Sequence, residues 1–229
     1  MSGAAPAQAA QPFLRWDWIW GNLDLIWSQT AEHILLTGIA VGLGLVISLG
    51  LSVVALRYRK TYAPITWVTG ILYTIPSLAL FAMLVPVTGL GITTAEIGLV
   101  GYTLLILVRN IVAGIDAVPA DVTEAARGMG YTPGRLLWQI QVPLAMPTIV
   151  AGLRIATVTT VGLVTVAALI GRGGLGQLIY RGLQNFSSPV GVAQIVAGTV
   201  LSIVLAVLAD LILVVGQRLL TPWTRRRPA

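Results

Sequence analysis

The chain has 229 residues, of which 56% belong to the apolar and aromatic set AVILMFWYC and only 10% are charged. A globular domain carries about a quarter charged residues, so this chain has too few charges for a water-facing surface and a soluble protein is excluded. The charge that is present is basic, with 14 Lys and Arg against 8 Asp and Glu. In a membrane protein, an excess of basic residues indicates the orientation across the bilayer and is not by itself a sign of nucleic-acid binding. The composition predicts an integral membrane protein with no nucleic-acid partner.

The scarce residue types exclude several kinds of chemistry. The chain has no cysteine, which excludes disulfides, thiolate zinc sites and cysteine nucleophiles. His33 is the only histidine and is expected to be an interfacial polar residue that opens a membrane helix. Lys60 is the only lysine and follows Arg59, so a Gly-Lys-Ser/Thr phosphate-binding loop cannot form. No catalytic residue, metal site or cofactor is therefore expected in this chain, and any ATP and Mg²⁺ would be bound by a partner.

The run Gly171–Gly176 satisfies the spacing G-x-G-x-x-G of dinucleotide-binding folds. That motif needs a soluble strand before it and a helix after it, within a βαβ unit. Here it follows an apolar stretch of membrane-spanning length, which favours a flexible turn at a membrane surface.

The N-terminal 29 residues divide into two segments. Residues 1–13 are rich in Ala, Gln, Pro and Ser without an apolar period and are expected to form a disordered tail. Residues 14–29, LRWDWIWGNLDLIWSQ, contain four tryptophans among charges and amides. Because Trp favours the headgroup zone, an interfacial segment is predicted, with a partner-facing helix as the alternative.

Five apolar stretches follow, each close to the ~20 residues that cross a bilayer core. Only Glu96, Arg154 and Asp210 place a formal charge within them. Because lipid leaves every backbone group in need of an internal partner, and no alternating strand pattern occurs, an all-α protein with five transmembrane helices is predicted. The predicted spans are Ile34–Leu56, Ile65–Val87, Ile92–Val108, Ala145–Leu169 and Val190–Val215.

The basic residues between these spans predict the orientation. Ten lie on one side: Arg57, Arg59, Lys60, Arg109, Arg127, Arg135, Arg218, Arg225, Arg226 and Arg227. Three lie on the other: Arg15, Arg172 and Arg181. Since the richer side is cytoplasmic, the N-terminus is predicted outside and the C-terminus inside. Residues 220–229 then form a basic cytoplasmic tail.

The long segment between the third and fourth spans, residues 116–143, has the features of two short helices. Pro119 suits a first helical turn and Gly130 a C-terminal stop. Thr132 can cap a second helix with Pro133 at its first position, and Pro143 is expected to end that helix before the fourth span.

The same segment carries the pattern E-A-A-x3-G-x9-I-x-L-P, with Val142 in place of its usual Leu. It resembles the EAA loop of ATP-binding-cassette importer permeases of the type I, methionine-permease-like fold. The resemblance implies a type-1 transmembrane domain over residues 30–219, in a bacterial inner membrane. It also implies two ATPase subunits that receive the loop, a second permease chain, identical or paralogous, and an extracytoplasmic substrate-binding protein. The matching residues are Glu124, Ala125, Ala126, Gly130, Ile140 and Pro143.

Two further runs, residues 75–79 (IPSLA) and 168–179 (ALIGRGGLGQLI), are similar to permeases that import quaternary-amine osmoprotectants. That resemblance implies glycine betaine, carnitine, choline or proline betaine as the solute. Arg172 departs from the pattern, because that position usually holds a small residue. A methionine or nitrate/sulfonate permease is the alternative, and a five-span intramembrane enzyme and a self-opening channel are the rivals of other classes.

Polar residues within the spans are the candidates for the translocation pathway. Arg154 and Asp210 lie at similar depths, roughly 10 and 12 Å from the cytoplasmic helix ends, and are expected to pair. The threonines of the fourth span either line the pathway or bond to their own helix. Gly38 and Gly42, with the glycine-rich turn after the fourth span, either permit close helix approach or reflect the high frequency of glycine in membrane helices. Few aromatic residues lie at membrane depth, and selectivity is expected in the binding protein. The pathway candidates are Pro76, Ser77, Arg154, Thr157, Thr160, Asp210 and Arg172.

Overall fold

The computed structural model describes residues 15–221, which are helical without a strand. The tail predicted for residues 1–13 lies outside this range, as does nearly all of the basic tail predicted for 220–229. The helices of the described chain are α1 (Trp16–Gly21), α2 (Leu23–Arg57), α3 (Tyr62–Thr74), α4 (Ser77–Thr88), α5 (Ile92–Asp116), α6 (Ala120–Gly128), α7 (Pro133–Leu136), α8 (Val142–Val166), α9 (Leu175–Gln184) and α10 (Pro189–Leu220).

Four helical stretches are long and apolar enough to cross a membrane unbroken: α2, α5, the run from Pro133 to Ile170, and α10. The second predicted span, Ile65–Val87, is not continuous, and that part of the prediction is wrong. Helices α3 and α4 meet at a bend of 97°. The cause is Pro76, which has no N–H to donate and disfavours a helical conformation at Ile75; Ile75 is extended, with φ −66° and ψ 128°.

An ion pair shows that the bent pair crosses the bundle and does not return to the side it left. Arg59 donates from Nη1 to Asp116 Oδ2 at 2.9 Å and from Nη2 to Asp116 Oδ1 at 2.6 Å. These hydrogen bonds are the main cause that raises the pKa of Arg59. Because α2 and α5 both end at this pair, they run parallel, and the chain between them must traverse the bundle. The described chain therefore has five crossings, as predicted.

The bundle has a loop end and an opposite end. The loop end contains Arg57, Asp116 and helices α6 and α7; the opposite end contains Glu32, Thr88 and Arg172. Each end has its own apolar core. At the opposite end the core includes Leu36, Phe81, Leu99 and Val164, and at the loop end it includes Ala55, Val108 and Val112.

Helices α2 and α5 approach closely at Gly44, where a Cβ would lie 1.9 Å from Thr103 Oγ1. The prediction that Gly38 and Gly42 provide this approach is wrong for contacts within the chain. A Cβ on either glycine would have nothing within 4 Å. A glycine count in a membrane helix does not reveal which glycine faces a neighbour.

The fourth span begins earlier than Ala145, and Pro143 does not end a helix. Helix α7 continues through a π-helical turn at Leu137–Gln141 directly into α8. A proline inside a helix clashes with the carbonyl four residues before it, here Gln139. That residue lies in the π turn, whose wider hydrogen-bonding ring accommodates the proline without breaking the helix.

Helix α9, which forms a hairpin with α10, was not predicted from the sequence. The turn between them brings backbones together: a Cβ on Gly182 would lie 2.5 Å from the carbonyl oxygen of Gly191, and one on Gly191 would lie 2.1 Å from that of Asn185. Leu175 and Leu178 are fully buried beneath α10 and α2. Their three-residue spacing, followed by the Ser188 cap that accepts from Val190 N, was the available sequence signal.

Helix α1 and the start of α2 contain the tryptophan-rich segment. Trp16, Trp20 and Trp27 have exposed fractions of 62%, 69% and 72%. The spacing of four residues places Trp16 and Trp20 on one side of α1, and Trp27 lies on α2, beyond the break at Asn22. This exposed aromatic face suits either the interfacial or the partner-facing prediction, and both stay open.

Candidate functional site

In the helical segment between α5 and α8, helix α6, the turn after it and the start of α7 agree with the prediction from the sequence. Helix α6 follows Pro119 and ends at Gly128. Gly130 then adopts φ +84°, a left-handed conformation that favours glycine. Thr132 caps α7, its side-chain oxygen accepting from Arg135 N at 3.4 Å, and Pro133 occupies the first turn.

This segment has two buried side chains and leaves one face open. Ala126 and Leu136 are only 2% and 4% exposed. Glu124 and Ala125 on α6 are exposed, together with the turn glycines. Met129 is 70% exposed and stands beside them. The open face therefore combines small residues with a flexible apolar side chain, a surface that a second protein can approach closely.

Ile140 and Pro143, the last two positions of the EAA pattern, do not lie on that open face. Both are half-buried in the continuous helix that enters the bundle. Movement of the segment would therefore be transmitted along an unbroken helix into the fourth span.

A cleft of about 620 Å³ separates the segment from the ends of α2 and α5. Its polar lining includes Arg57, Arg59, Arg127 and Tyr131, and its apolar lining includes Leu136. The sequence analysis did not predict this cleft, because its walls come from three regions of the chain that are distant in sequence.

Arg154 and Asp210 form the predicted pair between α8 and α10. Arg154 donates from Nε to Asp210 Oδ1 at 2.7 Å and from Nη2 to Asp210 Oδ2 at 2.9 Å. The two side chains are 33% and 32% exposed. The pair is therefore confirmed as a two-point ion pair with one edge open at the surface of the chain.

The threonines of α8 bond to their own helix, which is the alternative considered above. Thr157 donates to the carbonyl of Leu153 and Thr160 to that of Ala156, both at 2.8 Å. Thr160 is 1% exposed, so its hydroxyl does not reach an open surface within a single chain.

Arg172 lies in the turn between α8 and α9, at the opposite end. Its Nη1 is 3.6 Å from Oε1 of Glu32, and its side chain is 52% exposed. The sequence analysis did not predict this partner, which lies 140 residues away along the chain. The guanidinium is therefore paired on one side and open to solvent on the other.

His33 is buried within α2, ten residues after the start of that helix, so the prediction that it opens a membrane helix is wrong. The side chain is 0% exposed, and Nε2 donates to the carbonyl of Val161 at 3.0 Å. The glycine-rich turn covers it: Gly174 has φ +48°, and a Cβ there would lie 2.6 Å from His33 N. His33 thus fastens α2 to α8, and the turn needs glycine to pass over it.

Pro76 and Ser77 lie at the bend between α3 and α4. There the hydroxyl of Tyr102, on α5, donates to the carbonyl of Ile75. The rings of Tyr73 and Tyr102 meet edge to face with centroids 5.9 Å apart. The two tyrosines are distant in sequence, and only the bend brings them together.

Known permease proteins are similar to the chain along most of its length. The choline transport system permease protein OpuBB of Bacillus subtilis is 38% identical over 194 residues, which cover 85% of this chain and 88% of that protein. The osmoprotectant import permease protein OsmW of Salmonella typhimurium is 34% identical over 206 residues, covering 88% and 94%.

Among solved structures, the MetNI methionine ABC transporter in an inward-facing conformation aligns with a TM-score of 0.74 at 24% identity. The alignment covers 91% of this chain and all of that one. The likeness establishes the type I importer permease fold. A family model described as "binding-protein-dependent transport system inner membrane component" matches residues 33–225. The chain belongs to this family of inner-membrane transport components, which work with ATPase and substrate-binding partners and are not themselves enzymes.

Proposed function

We propose that the chain is the membrane-spanning permease subunit of an ATP-driven importer for quaternary-amine osmoprotectants such as glycine betaine, carnitine, choline and proline betaine. The observation that carries this proposal is the similarity to choline and osmoprotectant permeases along 85% and 88% of the chain. Residues 75–79 and 168–179, which first suggested that solute class, form the bend and the opposite-end turn of the bundle.

The loop end is the cytoplasmic end in this proposal, with the N-terminus outside. Charge supports that orientation, since positive residues concentrate on the cytoplasmic side of membrane proteins. In the described chain the loop-end half holds Arg57, Arg59, Lys60, Arg109, Arg127, Arg135 and Arg218, whereas the opposite end holds Arg15, Arg172 and Arg181.

Two ATPase subunits would bind ATP and Mg²⁺ and receive the open face of α6 from two permease chains. The exposed Glu124 and Ala125 support this docking, since a small side chain lets a partner's surface approach the helix backbone. A substrate-binding protein would deliver solute at the opposite end, near Arg172. The second permease chain would be identical or paralogous.

Arg154 and Asp210 support a pathway beside α8 and α10. A pair of charges with a third of each side chain exposed is costly against hydrocarbon, so intramembrane ions face water or protein. The open edge of the pair would face an aqueous pathway or the second permease chain. The unwound backbone at Pro76 and Ser77 would face the same space, because such backbone does not occur against lipid.

Uptake of labelled solutes tests the proposal. Cells that lack other osmoprotectant importers would receive the whole transporter, and a matched strain would carry it with an inactive ATPase subunit. The proposal expects ATPase-dependent uptake of choline or glycine betaine, and none of methionine or a sulfonate. Methionine or sulfonate uptake would establish the alternative, and uptake that persists with the inactive ATPase would contradict an importer of this class.

A further inference from the structure

The bend between α3 and α4 lies deep within the bundle. Tyr102, whose hydroxyl donates to Ile75 at the bend, is 10 residues from the start of α5 and 14 from its end. At about 1.5 Å per residue, the bend is about 15 Å from one end of α5 and about 21 Å from the other. This depth is close to the middle of a hydrocarbon core ~30 Å thick.

The bend leaves backbone carbonyls without partners. Pro76 has no N–H, so the carbonyl of Leu72, four residues earlier, loses its helical donor. Within the described chain the carbonyls of Leu72, Tyr73 and Thr74 accept no hydrogen bond, whereas those of Ile71 and Ile75 accept from Thr74 Oγ1 and Tyr102. Three acceptors thus remain at the C-terminal end of α3, where the helix dipole is negative.

The residues that carry these carbonyls lie at the surface of the chain, with Leu72 partly exposed. Tyr73 is 39% exposed, and Thr74 and Pro76 are exposed beside it. Irregular backbone at membrane depth occurs only where protein or a water-filled cavity covers it. The exposed side of the bend therefore faces the solute pathway or a partner chain, and the ring of Tyr73 faces it too.

The aromatic pair orients that ring. Tyr102 is 5% exposed and fixed to Ile75 by its hydroxyl, and its ring meets Tyr73 edge to face at 5.9 Å. An electron-rich ring beside carbonyl oxygens attracts a cation, and a weakly hydrated cation loses little hydration energy when it binds there. Quaternary ammonium groups are such cations.

We propose that the bend, through the ring of Tyr73 and the carbonyls of Leu72, Tyr73 and Thr74, is a weak site for a quaternary ammonium group within the membrane. The solute class rests on the proposed function, and the site deepens it. A neutral solute of the same shape has no such attraction. Because the bend has one accessible ring, the site binds transiently and releases its solute onward.

Binding is measured on the complete transporter in nanodiscs, with 3-fluorotyrosine incorporated and observed by ¹⁹F NMR. Tyr73→Phe identifies the Tyr73 resonance. Tetramethylammonium is the probe, and tert-butanol, of similar size without charge, is its control. We expect a saturable shift of the Tyr73 resonance with tetramethylammonium and none with tert-butanol, while Tyr180 on α9 is unaffected. An equal response to both probes, or no response, would overturn the site.

Uptake supplies the second arm. Tyr73→Leu removes the ring and should lower choline turnover severalfold, whereas Tyr73→Phe keeps the ring and should retain most of it. Equal turnover in the two variants would overturn the site. Tetramethylammonium binding without any quaternary-amine uptake would support the site and contradict the proposed function. Quaternary-amine uptake without tetramethylammonium binding would support the proposed function and contradict the site.

Discussion

Arg154 and Asp210 show what a single residue pair contributes to a membrane bundle. Removing one partner leaves the other charge at membrane depth without its two hydrogen bonds, which is costly in a medium of low polarity. Depth and opposite sign predicted the pair from sequence, because isolated membrane charges must find partners. Their bidentate geometry and open edge depend on helix rotation, which the sequence pattern does not specify.

We expect Arg154→Ala and Asp210→Ala each to lower the melting temperature of the purified transporter by several degrees. The double variant should lose less than the sum of the two, since residues in direct contact are not additive. Arg109→Ala, an arginine without an ion pair in the described chain, is the control and should have a smaller effect. Strictly additive losses in the cycle would contradict the contact.

Arg172 carries a prediction about selectivity. Its guanidinium attracts a carboxylate and repels a net cation, so it should favour betaine or carnitine over choline. Over about 8 Å in water the interaction is about 0.5 kcal/mol, roughly a twofold preference that falls with salt. Glu32, at 3.6 Å, offsets part of that charge.

Competitive uptake of choline and betaine measures this preference at low and high salt. Arg172→Ala should raise the ratio of choline to betaine uptake, most clearly at low salt, and Glu32→Gln should lower it. If neither substitution changes the ratio, Arg172 instead anchors the turn at the headgroups or contacts the binding protein.

At the scale of helices, Pro76 determines the form of the second span. An alanine there would supply the missing N–H to Leu72 and favour a straighter helix. We expect Pro76→Ala to reduce solute uptake severalfold while the thermal stability stays equal or rises. Pro86→Ala is the matched control, because Pro86 lies inside α4 without ending it. Uptake unchanged by Pro76→Ala would show that the bend is dispensable for transport.

The sequence predicted most of the membrane helices, because membrane length, charge placement and cap residues act locally. Their limits were less well predicted: α2 begins at Leu23 and not Ile34, and α5 ends at Asp116 and not Val108. Gly130 and the Thr132 cap are where those local rules place them. The errors share a physical cause. The bend at Pro76, the π turn before Pro143 and the contact at Gly44 depend on which neighbour each residue meets. For the same reason, the sequence did not predict the Tyr73–Tyr102 pair or the partner of Arg172.

Over the whole molecule, one continuous helix runs from α7, at the end of the exposed segment, into the fourth span. Helix α7 continues through the π turn into α8, and the turn at Gly130 joins α6 to α7. A partner that moves α6 and, through this turn, α7 would therefore move α8, together with Arg154 and its partner on α10. This connection is the physical basis on which the family's coupling to ATP hydrolysis would operate here.

Solute-stimulated ATPase activity of the reconstituted transporter measures whether the open face of α6 receives the ATPase, as proposed. Ala125→Trp adds bulk at that face, and Glu124→Lys reverses its charge. Gly130→Trp does not separate added bulk from backbone strain, because the φ of +84° at Gly130 disfavours any side chain there. Ala113→Trp, at an exposed alanine of α5 outside the segment, is the control for added bulk.

Added volume in a close-packed contact costs about 1–3 kcal/mol. Ala125→Trp should therefore reduce stimulation by roughly five- to hundredfold, while Ala113→Trp leaves it near wild type. Undiminished stimulation in both Ala125→Trp and Glu124→Lys would contradict the docking of the ATPase on α6.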